Sequence, residues 1–285
     1  MTQADEANAT RPVTAGARYV AIGSSFAAGP GIAPIVDRRA GRSGRNYAHQ
    51  VADALSLRLT DVSFSGATTA DVLEGRRGTP AQIEAVTSGT ALVTITVGGN
   101  DLGYIGGLIA AGAADATARR LGRISRRAAR WVRGRVSLEV DGQSVEAAER
   151  AMTAVGQAAR RRAPAARVLF VDYLPVAGSH ERAGVPAPRL PLTPGELGQV
   201  TRTAELLSRA FATAAERSGS ELIRVSAAGL DHGPLSPDPW ITGYEGSLLR
   251  RGAAVPYHPT LAGMTAVARL IVEHLREPGP AQPAS

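Results

Sequence analysis

The chain contains no cysteine and no lysine. Without cysteine it can form no disulfide, no thiolate nucleophile and no cysteine-based metal site. Aromatic residues make up 4%, too few to supply much base stacking. No zinc-finger or RNA-binding motif is present, so no nucleic acid is expected as a partner. No apolar run approaches the roughly 18 residues that a membrane span requires, so no stable membrane insertion is expected. The N-terminal stretch MTQADEANATRPVTAGA lacks a basic region followed by an apolar one, as a signal peptide would have. A cytoplasmic location is expected, which the absence of cysteine suits. The alternative is a secreted protein whose leader has been removed.

All 32 basic residues are arginine, against 25 acidic ones, for a net charge of +7. The plainest account is a high-GC coding bias, which favours Arg, Ala, Gly and Pro. Arginine still attracts anionic substrates or anionic lipid surfaces. With 285 residues and 44% hydrophobic content, the chain can bury one sizeable core. Length alone leaves one or two domains open, and a single α/β domain of this size is ordinary.

Residues 1–16 and 278–285 read as disordered polar tails around a single domain at 17–277. Within it, short apolar runs alternate with helical stretches. Strands are expected at 19–22, 60–64, 91–97, 167–171 and 222–225. Helices are expected at 46–57, 145–162 and 260–275. Another starts with Thr193 as N-cap, Pro194 as first helical residue and Glu196 as capping-box partner, and runs to Arg217 with Gly219 beyond it. Strands of this kind separated by helices imply a parallel sheet covered on both faces. The fold class is therefore α/β, a three-layer flavodoxin-like arrangement around about five parallel strands. Segment 118–136 is an arginine-rich helical insertion in which Leu121, Ile124, Ala128 and Trp131 can share one face. It reads as a solvated basic helix capping the core, with a lid or docking surface as the alternative.

Four short elements could carry chemistry. Gly23-Ser24-Ser25-Phe26-Ala27-Ala28-Gly29 follows the first strand. Parallel sheets place ligands outside the carboxyl ends of their strands, and a serine there lies near free backbone N–H groups. The same element could be a plain or phosphate-binding turn, although no Gly-Lys-Ser/Thr follows. Ser65-Gly66-Ala67 follows the second strand, where glycine lets the backbone approach a reacting carbonyl. Gly98-Gly99-Asn100-Asp101 follows the third, where the Asn100 amide is a potential oxyanion donor or a turn cap. His258-Pro259-Thr260 precedes the last helix, with proline and an N-cap threonine fixing the imidazole at its entrance.

Together, in this order, the four elements resemble the conserved blocks of SGNH (GDSL-like) hydrolases, from Tyr19 to the final helix. The Gly-Gly-Asn-Asp and His-Pro elements are the most specific. The resemblance implies the three-layer SGNH fold and a serine esterase or lipase. Ser25 would be the nucleophile. Its own N–H, the Gly66 N–H and the Asn100 side chain would form the oxyanion hole, and His258 would be the general base. Ser24 stands where the family commonly has aspartate. Val255 stands at the family's aspartate position, three residues before the histidine. A main-chain carbonyl at Val255, stiffened by Pro256, is expected to hold the imidazole instead. Asp238 and Asp231 are rival acids and His232 a rival base. The segment Asp238-Pro239-Trp240 resembles one often found in actinobacterial-type esterases of the family.

The substrate is expected to be a lipid-like or small acyl ester. A carbohydrate O-deacetylase and an acyltransferase are the alternatives. A non-catalytic binding module is disfavoured by the intact set of Ser25, Gly66, Asn100 and His258. The five histidines show no metal-ligand spacing, so neither metal nor cofactor is expected.

Overall fold

A computed structural model describes residues 11–133, 138–181, 188–244 and 255–277. The central sheet has five strands: β1 Arg18–Gly23, β4 Arg58–Asp61, β5 Thr90–Thr96, β6 Arg167–Val171 and β7 Glu221–Ile223. Their spatial order is β4-β1-β5-β6-β7, and every pair is parallel. Two short strands, β2 Ile35–Asp37 and β3 Arg42–Ser43, form a separate antiparallel ribbon. From β1 the chain winds first to β4 on one side, then returns to build β5, β6 and β7 on the other. The switch point therefore lies between β1 and β5. In such sheets the crevice at the carboxyl ends of those two strands is where ligands bind.

The core strands are buried on both faces, as parallel sheets covered by helices must be. This explains their unbroken apolar runs. β5 holds three threonines, and each is paired. Thr90 Oγ1 accepts from the Thr87 N–H at 3.0 Å. Thr94 Oγ1 lies 2.8 Å from Tyr19 Oη, and Thr96 Oγ1 lies 2.9 Å from Tyr47 Oη. A buried hydroxyl without such a partner would cost about 1–3 kcal/mol.

The helices in chain order are α1 Ser25–Ala28, α2 Tyr47–Leu55, α3 Thr69–Glu74, α4 Tyr104–Gly122, α5 Arg126–Arg133, α6 Gly142–Arg162, α7 Pro194–Ser218, α8 Val225–Ala228 and α9 Leu261–Arg276. The start of α7 matches the expected capping box. Thr193 Oγ1 accepts from the Glu196 N–H, the Glu196 carboxylate accepts from the Thr193 N–H, and Gly219 closes the helix in the left-handed region. Thr260 caps α9 by accepting from the Gly263 N–H.

Several boundaries differ from the sequence reading. β4 starts two residues earlier than expected, although Val62 and Phe64 still donate to Ala21 and Gly23 of β1. The last strand ends at Ile223, and Val225 already begins α8. The first part of α4 was not legible, because Gly106, Gly107 and Gly112 lower its helix propensity. Packing decides there: a Cβ on Gly112 would sit 2.4 Å from the Tyr244 ring.

The arginine-rich segment is also not one helix. Its residues 134–136 lie outside the described residues. Before them the chain breaks between α4 and α5, where Ser125 Oγ accepts from the Ala128 N–H. Ile124 falls in this break and is 90% exposed, and Trp131 is 61% exposed. The expected apolar face therefore does not cap the core. Of the expected tails, 1–10 and 278–285 lie outside the described residues. Residues near the first boundary engage the fold: the Gly16 N–H donates to Ser56 O at 2.7 Å, and Val13 packs on the core.

Gly23 closes β1 at φ 153°, and a Cβ there would lie 2.4 Å from the Thr96 carbonyl oxygen. Gly23→Ala is therefore expected to lower stability by about 2–3 kcal/mol through overpacking against backbone. The control is Gly89→Ala, whose Cβ meets nothing within 4 Å and which should stay within about 0.5 kcal/mol. Urea denaturation of both variants measures this. Equal midpoints would show that the two strands separate easily at Gly23.

Candidate active site

The end of β1 is held from three directions. The Gln82 side chain accepts from the Gly23 N–H at 2.7 Å and donates to the Gly23 carbonyl at 3.1 Å. The Ser24 N–H donates to Thr96 O at 2.8 Å. Ser24 Oγ lies 2.8 Å from Tyr173 Oη, which also accepts from the Gly99 N–H at 3.3 Å. Tyr173 thus links the turn after β1 to the turn after β5. Burial pushes its hydroxyl up to about 12, so it stays neutral. Ser25 comes next, as the first residue of α1, and is nearly buried.

Gly66 lies in the turn after β4 at φ 80°. A Cβ at this position would meet nothing within 4 Å. Glycine is required here for its backbone conformation, and the space beside it stays open. The flanking N–H groups are engaged: Ser65 donates to Ala40 O and Ala67 to Phe64 O. Among the described residues the Gly66 N–H donates to nothing. Arg76 lies over the Phe64 ring, 4.1 Å from its centroid, and stiffens this turn.

The Asn100 element docks directly on this turn. Asn100 Nδ2 donates to Ala67 O at 2.8 Å. A primary amide carries two hydrogens, so the second is left for a ligand. Next to it the Asp101 carboxylate accepts from Thr69 Oγ1 at 2.5 Å and from the Thr69 N–H at 3.2 Å. Burial raises Asp101 above the ordinary carboxylate range, and the Thr69 bonds oppose that shift. These contacts fix the turns after β4 and β5 against each other.

His258 is buried beside the serine element. Its ring centroid lies 5.6 Å from that of Phe26, and Phe26 packs on Tyr173 at 4.3 Å. The imidazole Nδ1 lies 2.8 Å from the Pro256 carbonyl. A carbonyl only accepts, so Nδ1 carries the proton and Nε2 is left as a base. This corrects the expectation that Val255 supplies the carbonyl. Val255 O accepts instead from Thr242 Oγ1 at 2.6 Å. The reason is local: Tyr257 adopts φ 58°, a conformation that turns the chain between Pro256 and His258. Thr242 holds the turn further, accepting from the His258 N–H at 3.0 Å and donating its own N–H to His258 O at 2.9 Å. Burial lowers His258 to about 4, against a small opposing effect of the Pro256 carbonyl.

The rival groups are engaged elsewhere. His232 stacks on Trp240 at 3.8 Å, and its Nδ1 lies 2.8 Å from Asp238 O. The Asp238 carboxylate accepts from Trp240 Nε1 at 3.3 Å. Asp231 is exposed. None of the three contacts the His258 ring among the described hydrogen bonds. The structure thus joins the serine element to the Gly99 turn through Tyr173, and Asn100 to the Gly66 turn, and sets His258 against Phe26. Tyr173, Thr242 and Gln82 were missed in the sequence. Tyr173 follows β6 by two residues, so the strand-end rule could have found it. Nothing in the sequence singles out Thr242 or Gln82.

Residues 21–266 match the GDSL-like Lipase/Acylhydrolase family. Lipase 2 of Streptomyces coelicolor is 31% identical over 253 residues, which is 86% of this chain and 81% of that protein. Among solved structures, phospholipase A1 from Streptomyces albidoflavus NA297 is similar with a TM-score of 0.65 and 25% identity, covering 92% of this chain and all of that one. An extracellular lipase from Streptomyces rimosus gives 0.64 at 25% identity, covering 90% of this chain and 98% of that one.

If burial and the Pro256 carbonyl alone set the imidazole, its titration should ignore the nearby acids. His258 is expected to titrate near 4 in an NMR pH series. Asp238→Asn and Asp231→Asn should leave that value in place. A titration at or above about 6.5, the ordinary histidine value, or a displacement by either variant would show a carboxylate at the ring.

Proposed function

The chain belongs to the GDSL-like lipase/acylhydrolase family, and from that premise we propose that it cleaves carboxylic esters through an acyl-enzyme on Ser25. Ser25 Oγ attacks the ester carbonyl while His258 Nε2 takes its proton. The oxyanion that forms is met by the N–H groups of Ser25 and Gly66 and by the remaining Asn100 N–H. His258 then gives the proton to the departing alcohol. Water repeats the sequence on the acyl-enzyme and frees the acid.

The observation that carries this reading is the Nδ1 contact of His258 with Pro256 O at 2.8 Å. It leaves the basic nitrogen free without any carboxylate. A neutral carbonyl stabilises the imidazolium less than a carboxylate would. The depressed His258 value, about 4, keeps the base unprotonated at neutral pH. Activity should therefore rise through an acid limb near that value and level off above it.

A lipid-like ester is the substrate class we favour over a small acyl ester. The named relatives are lipases and a phospholipase A1. A groove of about 570 Å³ is lined by Leu138, Val140 and Leu206 together with Glu139, Asp141, Gln199, Arg202 and Thr203, so its wall is mixed. An adjoining cavity shares its Leu138, Val140 and Thr203 walls and reaches Leu102 and Tyr104, close after Asn100 in the chain.

Ser25→Ala is expected to abolish hydrolysis of a p-nitrophenyl ester and labelling by a fluorophosphonate probe. Labelling that persists at Ser24 or Ser65 would overturn the nucleophile. Asn100→Ala should lower kcat by about a hundred- to a thousandfold with little change in KM. A raised KM with kcat unchanged would make Asn100 a substrate-binding residue instead.

A further inference from the structure

The net positive charge of the chain is concentrated in one place. Arg119, Arg120, Arg123, Arg126, Arg127, Arg130, Arg133 and Arg135 follow Asp115, and no acidic residue appears until Glu139. This stretch alone carries more charge than the chain's net +7, so the remainder is close to neutral. Elsewhere arginines lie beside acids, as Arg167 with Glu221, Arg217 with Glu149 and Arg269 with Glu273 do. Within the stretch Arg119 pairs back with Asp115, but no acid stands among Arg120 to Arg135, which a coding bias toward arginine would not by itself produce.

The same stretch presents apolar side chains to solvent. The two most exposed large hydrophobic residues among those described are Ile124 at 90% and Trp131 at 61%. Ile124 stands in the break between α4 and α5, with exposed Arg120, Arg123, Arg126 and Arg127 around it in the chain. Trp131 follows Arg127 by four residues on α5, so the two share a helix face. Phosphate groups alone would be served by the arginines. An isoleucine at the tip and a tryptophan one turn on instead suit a surface with charge outside and hydrocarbon beneath. Tryptophan favours that boundary, and arginine is drawn to anionic headgroups.

We propose that residues 120–131 form a docking surface for an anionic phospholipid layer, with Arg120, Arg123, Arg126 and Arg127 on the headgroups and Ile124 and Trp131 entering the acyl boundary. The inference concerns binding. It stands apart from whether the bound lipid is also cleaved.

The test uses full-length Ser25→Ala protein, so that turnover does not alter the vesicles. Sedimentation is compared with phosphatidylglycerol-rich and pure phosphatidylcholine vesicles. Binding is expected to the former and not the latter. It should bring a blue shift in tryptophan emission, because Trp131 is exposed while Trp240, the second of two tryptophans, is buried. Each arginine contributes roughly fivefold at an anionic surface. Replacing Arg120, Arg123, Arg126 and Arg127 together by Gln should therefore weaken partitioning by on the order of several hundredfold. Ile124→Ser should weaken it by about tenfold.

In the Ser25 background these variants should hydrolyse p-nitrophenyl acetate like the parent, which shows that they fold. Equal binding to both vesicle types would overturn the proposal. So would unchanged binding by the arginine variant. An unaffected Ile124→Ser protein that duplex DNA displaces from vesicles would also overturn it, and would mark a site for polyanions in general. Loss of ester turnover in the parent would instead strike at the assignment of Ser25, leaving the vesicle result intact.

Discussion

Where β1 and β5 end, their backbones come so close that no side chain fits between them. A Cβ on Gly23 would lie 2.4 Å from the Thr96 oxygen. The Ser24 N–H bonds to that same carbonyl. Beyond this point the sheet can no longer pair the two strands. Gln82 pairs with both polar groups of Gly23, whose carbonyl also accepts from the Phe64 N–H. Leaving such buried groups unpaired would cost about 1–3 kcal/mol each. The clamp therefore sets where Ser25 leaves the sheet. Because β5 runs directly into the Gly98 turn, it also sets where Asn100 stands relative to Ser25. Tyr173 spans the same two turns from β6.

The histidine loop solves a different problem. An imidazole needs an acceptor on one nitrogen to present the other as a base. Here a main-chain carbonyl takes that part, and a left-handed residue makes it possible. Tyr257 at φ 58° costs about 1–3 kcal/mol. The surrounding bonds from Thr242 offset that strain and hold the turn in one geometry. A carboxylate would raise the imidazole pKa by its charge. With a neutral acceptor, burial dominates and the value falls. Burial thus favours the neutral imidazole at neutral pH.

Charge is organised on the scale of the whole molecule as well. Within the folded body arginine acts locally: Arg42 donates to Ser63 O and lies near Asp61, and Arg167 grips Glu221 at the β7 edge. These contacts fasten loops and strand ends. Between Asp115 and Glu139 only Arg119 pairs with a neighbouring acid in the described residues, reaching back to Asp115, while Arg120, Arg123, Arg126 and Arg127 are exposed with no acid between them in the chain. Surface charges of one sign interact over about a Debye length, about 8 Å at physiological salt. A cluster therefore acts on a partner where scattered arginines would not.

The alternation of apolar runs with helical stretches was sufficient to identify the parallel sheet, because burial on both faces leaves few polar residues in a strand. Thr193, Pro194 and Gly219 marked the ends of α7, since caps act within a few residues of themselves. The four candidate elements could be located for the same reason: each is a short turn just beyond a strand or before a helix. What the local pattern did not contain was anything joining residues far apart in the chain. Gly112 is helical because it packs on Tyr244, and no propensity predicts that. The choice of Pro256 over Val255 followed from the φ of Tyr257 and from Thr242, a partner on another segment. Ile124 and Trp131 had the spacing of a buried face, yet a break at Ser125 turned them to solvent. Local sequence determined most of the segments that fold and, where caps mark them, where they stop. Only the tertiary structure decided which distant groups meet, because hydrogen bonds and packing between remote segments depend on positions in space that no short stretch of chain encodes.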